Sequence, residues 1–262
     1  MSLIFLHDKR QIETFLLKHR HLNFYHLGDL DDFFWPYTTW YALQEDGEIK
    51  ALNLFYSGID PAVLLGIVNE NFDEMAALLE SSLSLLPSNF YSHLSPGLEK
   101  VLEMDYYIEH HGEHNKMNLV EIAAVEEIDT SEVIPLTTEN LDELSTLYQV
   151  SYPGNWFDPR MLETGQYVGI RGDGDELVSV AGIHVYSPAY KIAALGNIAT
   201  RLDKRGQGLG TIVSTGLCKQ LLPTVDVIGL NVRSDNTAAI RVYEKIGFEI
   251  VGTYHEWMVT RK

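Results

Sequence analysis

Residues 205–210 read Arg-Gly-Gln-Gly-Leu-Gly, between an apolar, strand-like run over 192–200 and a helix-like run over 211–222. A glycine-rich turn that opens a helix presents backbone N–H groups with no partner inside the helix, at the positive end of its dipole. Glycine lets an anion come close to that backbone because no Cβ stands in the way. The chemistry expected is the holding of a phosphorylated ligand. The spacing is not the dinucleotide fingerprint Gly-x-Gly-x-x-Gly, and no Gly-Lys-Ser/Thr follows as in nucleoside-triphosphatase loops. On its own the loop is equally a plain glycine-rich turn.

A second block, Leu230 to Phe248, narrows the reading. Residues 227–232 suit a short buried strand, and Asp235 or Asn236 can cap a new helix. Ala239, Ile240, Tyr243 and Ile246 recur at helical spacing and share a face. Gly247 suits the helix stop and Phe248 the start of another strand. This order resembles the GCN5-related N-acetyltransferase (GNAT) superfamily. Its loop pattern, Arg/Gln-x-x-Gly-x-Gly/Ala, is matched by Arg205, Gly208 and Gly210. Its later pattern, Asn-x-x-Ala-x-x-x-Tyr-x-x-x-Gly-Phe, is matched by Asn236, Ala239, Tyr243, Gly247 and Phe248. The likeness covers residues 131–262 well and the first half poorly.

The resemblance implies an α/β fold, a mixed sheet flanked by helices, and acetyl-CoA as donor to an amine on a small molecule or an exposed amino group. Cofactor contacts would fall to Arg205, Gly206, Gln207, Gly208, Leu209, Gly210 and Thr211, to the backbone of Ile198, Ala199 and Thr200, and to the side chain of Asn236. The amides of Ile198 and Ala199 would be the best placed to polarise the thioester carbonyl, and Lys204 is a weaker phosphate contact than Arg205. Tyr243 would protonate the leaving thiolate. Many relatives carry a glutamate base in the strand before the loop, but the corresponding stretch here, Leu195-Gly196-Asn197, has no carboxylate. His184 has a suitable ordinary pKa and stands as the candidate base, with a structural histidine as the alternative. His255 and Glu256 are weaker candidates. Tyr152, Trp156 and Phe157 lie in a loop that would line the acceptor pocket or simply pack. A non-catalytic acyl-CoA binder, or a transferase for longer acyl groups, fits the same residues.

Positioning these groups requires a particular run of elements. Over the second half, strands are expected at 132–136, 167–171, 177–186, 190–200 and 227–232, with helices at 138–150, 211–222 and after Asn236. The first half reads as a helix over 8–18, a hairpin of 40–43 with 49–56 turned by Asp46-Gly47, a strand over 63–68, a helix over 72–85 and a short helix over 98–104. Residues 106–110 and 116–122 read as two strands that pair across a turn. The turn would hold His110, His111 and His114, a surface run whose spacing matches no closed zinc motif. The polar stretch 126–130 suits a linker between a degenerate first copy, residues 1–128, and a second copy, residues 131–262. After 63–68 the first half carries Asn-Glu-Asn-Phe-Asp-Glu, acidic and free of glycine, which disfavours a pyrophosphate.

The net charge of −18 argues against nucleic acid and against an anionic membrane surface as partners. Residues 1–130 carry −15 of it and residues 131–262 only −3. The cofactor-binding half is thus the less hostile to an anion, while the acidic half attracts a cationic amine or simply keeps the surface solvated. No apolar run approaches the ~20 residues needed to cross a bilayer. The first residues lack the basic stretch of a leader peptide. The single cysteine, Cys218, allows no internal disulfide and reads as a small buried apolar residue. A cytoplasmic setting is the expectation.

Overall fold

The computed structural model describes residues 1–155 and 157–262. The chain is α/β, built of mixed β-sheet flanked by helices, and it divides into two compact units. The first comprises Met1–Lys116, Arg233–Asp235 and Ile250–Lys262, and the second Met117–Val232 and Asn236–Glu249. No helix of the described residues is long and apolar enough to cross a membrane.

The first unit runs β1 (Ser2–Phe5), α1 (Lys9–Leu16), α2 (Phe24–Gly28), β2 (Thr38–Glu45), β3 (Glu48–Tyr56), β4 (Val63–Gly66), α3 (Phe72–Ser82), β5 (Asn89–Leu94), α4 (Glu99–Leu102) and β6 (Tyr106–Leu119). Asp8 caps α1 by accepting from Arg10 N and Gln11 N at 2.9 and 3.3 Å. Asp46 (φ 51°) and Gly47 (φ 85°) turn the β2–β3 hairpin with positive φ at both central positions, as the dipeptide predicts. Leu78 and Leu79 of α3 pack over Tyr41, Leu64 and Phe90 to form the core.

Residues 106–119 form one continuous strand, not two strands joined by a turn. Gly112 (φ 119°) absorbs the local distortion without ending it. The histidine run is therefore not simply a surface run. His110 is exposed, but His114 faces inward and belongs to a polar cluster on one face of the sheet. Its hub is Glu256, in the last strand of the chain. Tyr91 and Tyr254 donate to this carboxylate at 2.7 and 3.0 Å, and Nε2 of His93 and of His114 stand 3.4 and 3.5 Å from it. Burial pushes Glu256 up, but the two histidines and the two phenols outweigh it, and the carboxyl titrates below its usual range.

Beside this hub lies Lys116, fully buried, its ammonium 4.1 Å from the Phe24 ring, 5.0 Å from Tyr25 and 5.9 Å from Tyr254. Among the described residues Nζ has no hydrogen-bond acceptor. Cation–π contact offsets part of the lost hydration, yet desolvation still pushes Lys116 down from 10.5 to about 7.

The second unit runs α5 (Ile122–Glu126), β7 (Ile134–Leu136), α6 (Leu141–Ser151), β8 (Tyr167–Arg171), β9 (Leu177–Ser187), β10 (Ile192–Thr200), α7 (Leu209–Leu221), β11 (Val227–Arg233) and α8 (Thr237–Ile246). β12 (Phe248–Arg261) begins here and contributes most of its length to the first unit. The strand order is β11-β10-β9-β8-β7, with β10 and β11 parallel and the remaining pairs antiparallel. α7 buries Val213, Leu217 and Leu221 and also Cys218, whose thiol burial pushes up to about 12. Gly247 stops α8 with φ 106°, and its carbonyl accepts from Val120 N and Glu121 N at 2.9 and 3.0 Å. A Cβ there would collide with the Glu121 carbonyl, so glycine is required by space as well as by φ.

Lys116 makes the stability of the fold depend on pH in a definite direction. Between about 7 and 10.5 the unfolded chain holds a proton on this amine that the folded chain does not, so stability from this group rises with pH across that window. Lys116→Met should raise stability at pH 7 by roughly 1–4 kcal/mol. Denaturant titrations at several pH values should show the advantage largest below pH 7 and shrinking towards pH 10.5.

Candidate functional site

Parallel pairing of β10 with β11 runs from Ile192↔Val227 to Leu195↔Leu230 and stops, although β10 continues to Thr200 and β11 to Arg233. The strands part at Gly196. Two register shifts in the β9–β10 pair flank that point. Ala194 pairs with Val185 and Leu195 with Ile183, which leaves His184 as an extra residue on β9. Gly196 pairs with Gly182 and Ala199 with Val180, which leaves Asn197 and Ile198 opposite Ala181. A Cβ at Gly196 would collide with the imidazole of His184, and one at Gly182 with the ring of Tyr167. Both glycines are there because side chains lie flat against the backbone.

Asn197 occupies the left-handed region (φ 54°) and is buried. Its carbonyl accepts from the Tyr148 hydroxyl at 2.7 Å, and its Nδ2 donates to the Tyr167 hydroxyl at 3.0 Å. Tyr167 donates in turn to the Ile183 carbonyl at 3.3 Å. Phe157 packs against both tyrosine rings, at 5.1 and 6.0 Å between centroids. Burial pushes both phenols far above their ordinary range, so both remain protonated donors.

Past Thr200 the chain makes the loop 205–210 and enters α7. Gly206 (φ 78°) and Gly208 (φ 85°) need glycine for their backbone conformation, and a Cβ on either would stand in open space. Gly208 is the N-cap of a 13-residue helix and has no capping side chain. The first-turn amides of Leu209, Gly210 and Thr211 therefore lack an intrahelical acceptor. Gly210 lies beside Thr200, whose hydroxyl is 3.7 Å from where a Cβ would be. Gln207 is exposed, Leu209 half-buried and Thr211 buried. Arg205 is exposed and donates to Thr200 O at 3.1 Å and to Ser151 O at 2.9 Å, so it ties the loop to the end of β10 and the end of α6. Lys204 is half-buried.

Asn236 caps α8, its Oδ1 accepting from Ala239 N at 3.2 Å. Tyr243 is buried, its ring 6.0 Å from that of Phe248. Desolvation, then Tyr152 and Cys218, push its phenol above the ordinary range, so it carries a proton at every physiological pH. Tyr152, half-exposed, is thus brought close to Tyr243. Phe157 is packing against the Asn197 support, and Trp156 lies outside the described residues.

Of the base candidates, His184 is half-buried on the β9 bulge against Gly196. Glu256 is enclosed in the first unit by four partners, and His255 stands 3.5 Å from Glu113 in the same unit. Among the described residues no three His, Cys, Asp or Glu side chains gather so as to hold a metal ion. The sequence reading missed Tyr148, Tyr167 and Asn197. The signal was Gly182 and Gly196, isolated glycines in adjacent apolar strands, which mark close approach of something to the backbone.

Residues 135–248 match the sequence profile of the acetyltransferase (GNAT) family. No curated protein sequence matches the chain. Several solved structures share its fold over nearly the whole length. A Drosophila protein is 11% identical with TM-score 0.73, covering 98% of each chain. An acetyltransferase from the GNAT family of Colwellia psychrerythraea is 13% identical with TM-score 0.57, covering 100% of each. A tandem GNAT protein from the clavulanic acid biosynthesis pathway is 14% identical with TM-score 0.57, covering 98% of this chain and 97% of that one.

The cap on α8 gives a stability readout independent of any ligand. Asn236→Ala should lower stability by about 1 kcal/mol, measured by denaturant titration, because it leaves the Ala239 amide without its acceptor.

Proposed function

We propose that this chain, whose residues 135–248 match the acetyltransferase (GNAT) family, transfers an acetyl group from acetyl-CoA to a primary amine, on a small molecule or an exposed amino group. Acyl transfer to an amine-bearing acceptor is the general chemistry of that superfamily. The observation that carries the reading is the parting of β10 from β11 directly before a glycine-capped helix start. It leaves the Ile198–Thr200 backbone out of the parallel ladder and the first amides of α7 available to a pyrophosphate, as a CoA thioester requires.

The residues divide the work as follows. Gly206, Gln207, Gly208, Leu209, Gly210 and Thr211 would hold the pyrophosphate through backbone N–H groups. Arg205 braces the loop through Thr200 and Ser151 and adds positive charge. Ile198, Ala199 and Thr200 would bind the pantetheine arm as an added strand would bind, and Asn236 caps α8 beside it. When bound, acyl-CoA supplies an activated thioester, so the protein needs only to position and to stabilise charge. Tyr243, held neutral by burial, is the proton donor to the departing sulfur. His184, or water beside it, removes the proton from the acceptor amine.

Residues 1–128, of which 1–116 lie in the first unit, are proposed as a degenerate copy that holds no cofactor. Two observations support this. Its β4 and β5 stay paired along the whole of β4, up to Gly66↔Leu94, and Ser95 N continues to Gly66 O at 3.2 Å. Its α3 starts from Asn71 with Asp73 and Glu74 in the first turn, where a pyrophosphate would be repelled.

Calorimetry with coenzyme A and release of free thiol against a panel of amines test the proposal together. Association with coenzyme A and turnover of acetyl-CoA on at least one amine are expected, and Tyr243→Phe should reduce kcat by about 10²-fold with little change in coenzyme A affinity. No association with coenzyme A would overturn the reading. Tight association without turnover on any amine would leave a binder of acyl-CoA, and faster turnover of longer acyl chains would reassign the donor.

A further inference from the structure

The Tyr148 hydroxyl donates to the carbonyl of Asn197, and that carbonyl shares a peptide group with the N–H of Ile198. A hydrogen bond accepted at the oxygen draws electron density from the nitrogen and strengthens the N–H as a donor. Both ladders of β10 pass over Ile198. The parallel register ends at Leu195, and the antiparallel register jumps from Gly196 to Ala199. Resting on the acyl-transfer reading above, we infer that Tyr148 is a positioning residue, which polarises the Asn197–Ile198 peptide so that the Ile198 amide stabilises negative charge developing on the thioester oxygen.

The surroundings suit this role. Tyr148 is buried on α6, and burial keeps its phenol protonated, so the hydroxyl donates and never becomes a phenolate beside the carbonyl. Tyr167 fixes the Asn197 side chain independently through Nδ2, so the orientation of the peptide does not rest on Tyr148 alone. Asn197 holds a left-handed φ, costly for a residue other than glycine, and its carbonyl meets α6 through Tyr148. Removing the hydroxyl of Tyr148 should therefore weaken one donor without dismantling the bulge.

The test is Tyr148→Phe, read by kinetics, by calorimetry with coenzyme A, by thermal unfolding and by amide NMR of the 15N-labelled protein. The inference expects the Ile198 amide signals to move upfield while those of Leu209, Gly210 and Thr211 stay in place. It also expects kcat to fall about 10-fold, with coenzyme A affinity within about twofold of wild type. In a folded variant, an unmoved Ile198 signal or an unchanged kcat overturns it. If the phenylalanine variant fails to fold, 3-fluorotyrosine at position 148 keeps ring and hydroxyl and makes a stronger donor. Ile198 should then move downfield, and no movement overturns the inference. A wild-type protein that binds no coenzyme A overturns the acyl-transfer reading itself, whereas an active wild type with Ile198 indifferent to Tyr148 overturns this inference alone.

Discussion

A strand that leaves its neighbour midway strips its own backbone of partners inside a protein, where unpaired N–H and C=O groups are costly. The second unit is organised around that one constraint, the departure of β10 from β11 after Leu195. The structure meets it with side chains. Tyr148 satisfies the Asn197 carbonyl, Tyr167 accepts from the side-chain Nδ2 of Asn197, and Arg205 satisfies the carbonyls of Thr200 and Ser151. Gly182 and Gly196 give the Tyr167 and His184 rings the room to lie against the strands that need them. What remains is the end of β10 without a parallel partner on β11, the edge that the proposed pantetheine arm would pair with.

The phenols buried in the second unit are kept uncharged. Tyr148, Tyr167 and Tyr243 are all pushed up by burial and remain neutral donors, and the Cys218 thiol beside Tyr243 is inert for the same reason. In the proposed reaction such neutral donors would act as directed dipoles, alongside the Arg205 guanidinium at Thr200. The one strong concentration of charged side chains seen in the first unit behaves differently. Glu256 accepts from Tyr91 and Tyr254 and stands within 3.5 Å of His93 and His114, a cluster that ties three strands of the sheet together.

The two units use a similar series of elements to opposite ends. In both, a central strand leads through a loop into a helix and then to a parallel strand. In the second unit the loop is glycine-rich, the helix starts without a side-chain cap, and the parallel strands diverge. In the first unit the loop is acidic and the parallel pair stays closed along the length of its shorter member. A closed pair satisfies its own backbone, and its acidic loop disfavours an anion, which is why this half is proposed to hold no cofactor.

Local chemistry was legible without coordinates wherever it depended on residues near in sequence. The Asp46-Gly47 hairpin, the Asn236 cap, the Gly247 stop and the glycine loop before α7 each follow from what one residue type does to its own backbone. The reading failed where partners were far apart in the chain. Gly112 looked like a turn between two short strands, but pairing with distant strands holds 106–119 in one piece, and His114 turned out to serve Glu256, over a hundred residues away. Sequence alone determined that a glycine-rich turn opens α7, because the positive φ at Gly206 and Gly208 belongs to the residue type. Tertiary structure alone decided that Tyr148, Tyr167 and Asn197 meet, since hydrogen bonds among three separate elements depend on how the sheet bulges and the helices pack, and no local pattern encodes that distance.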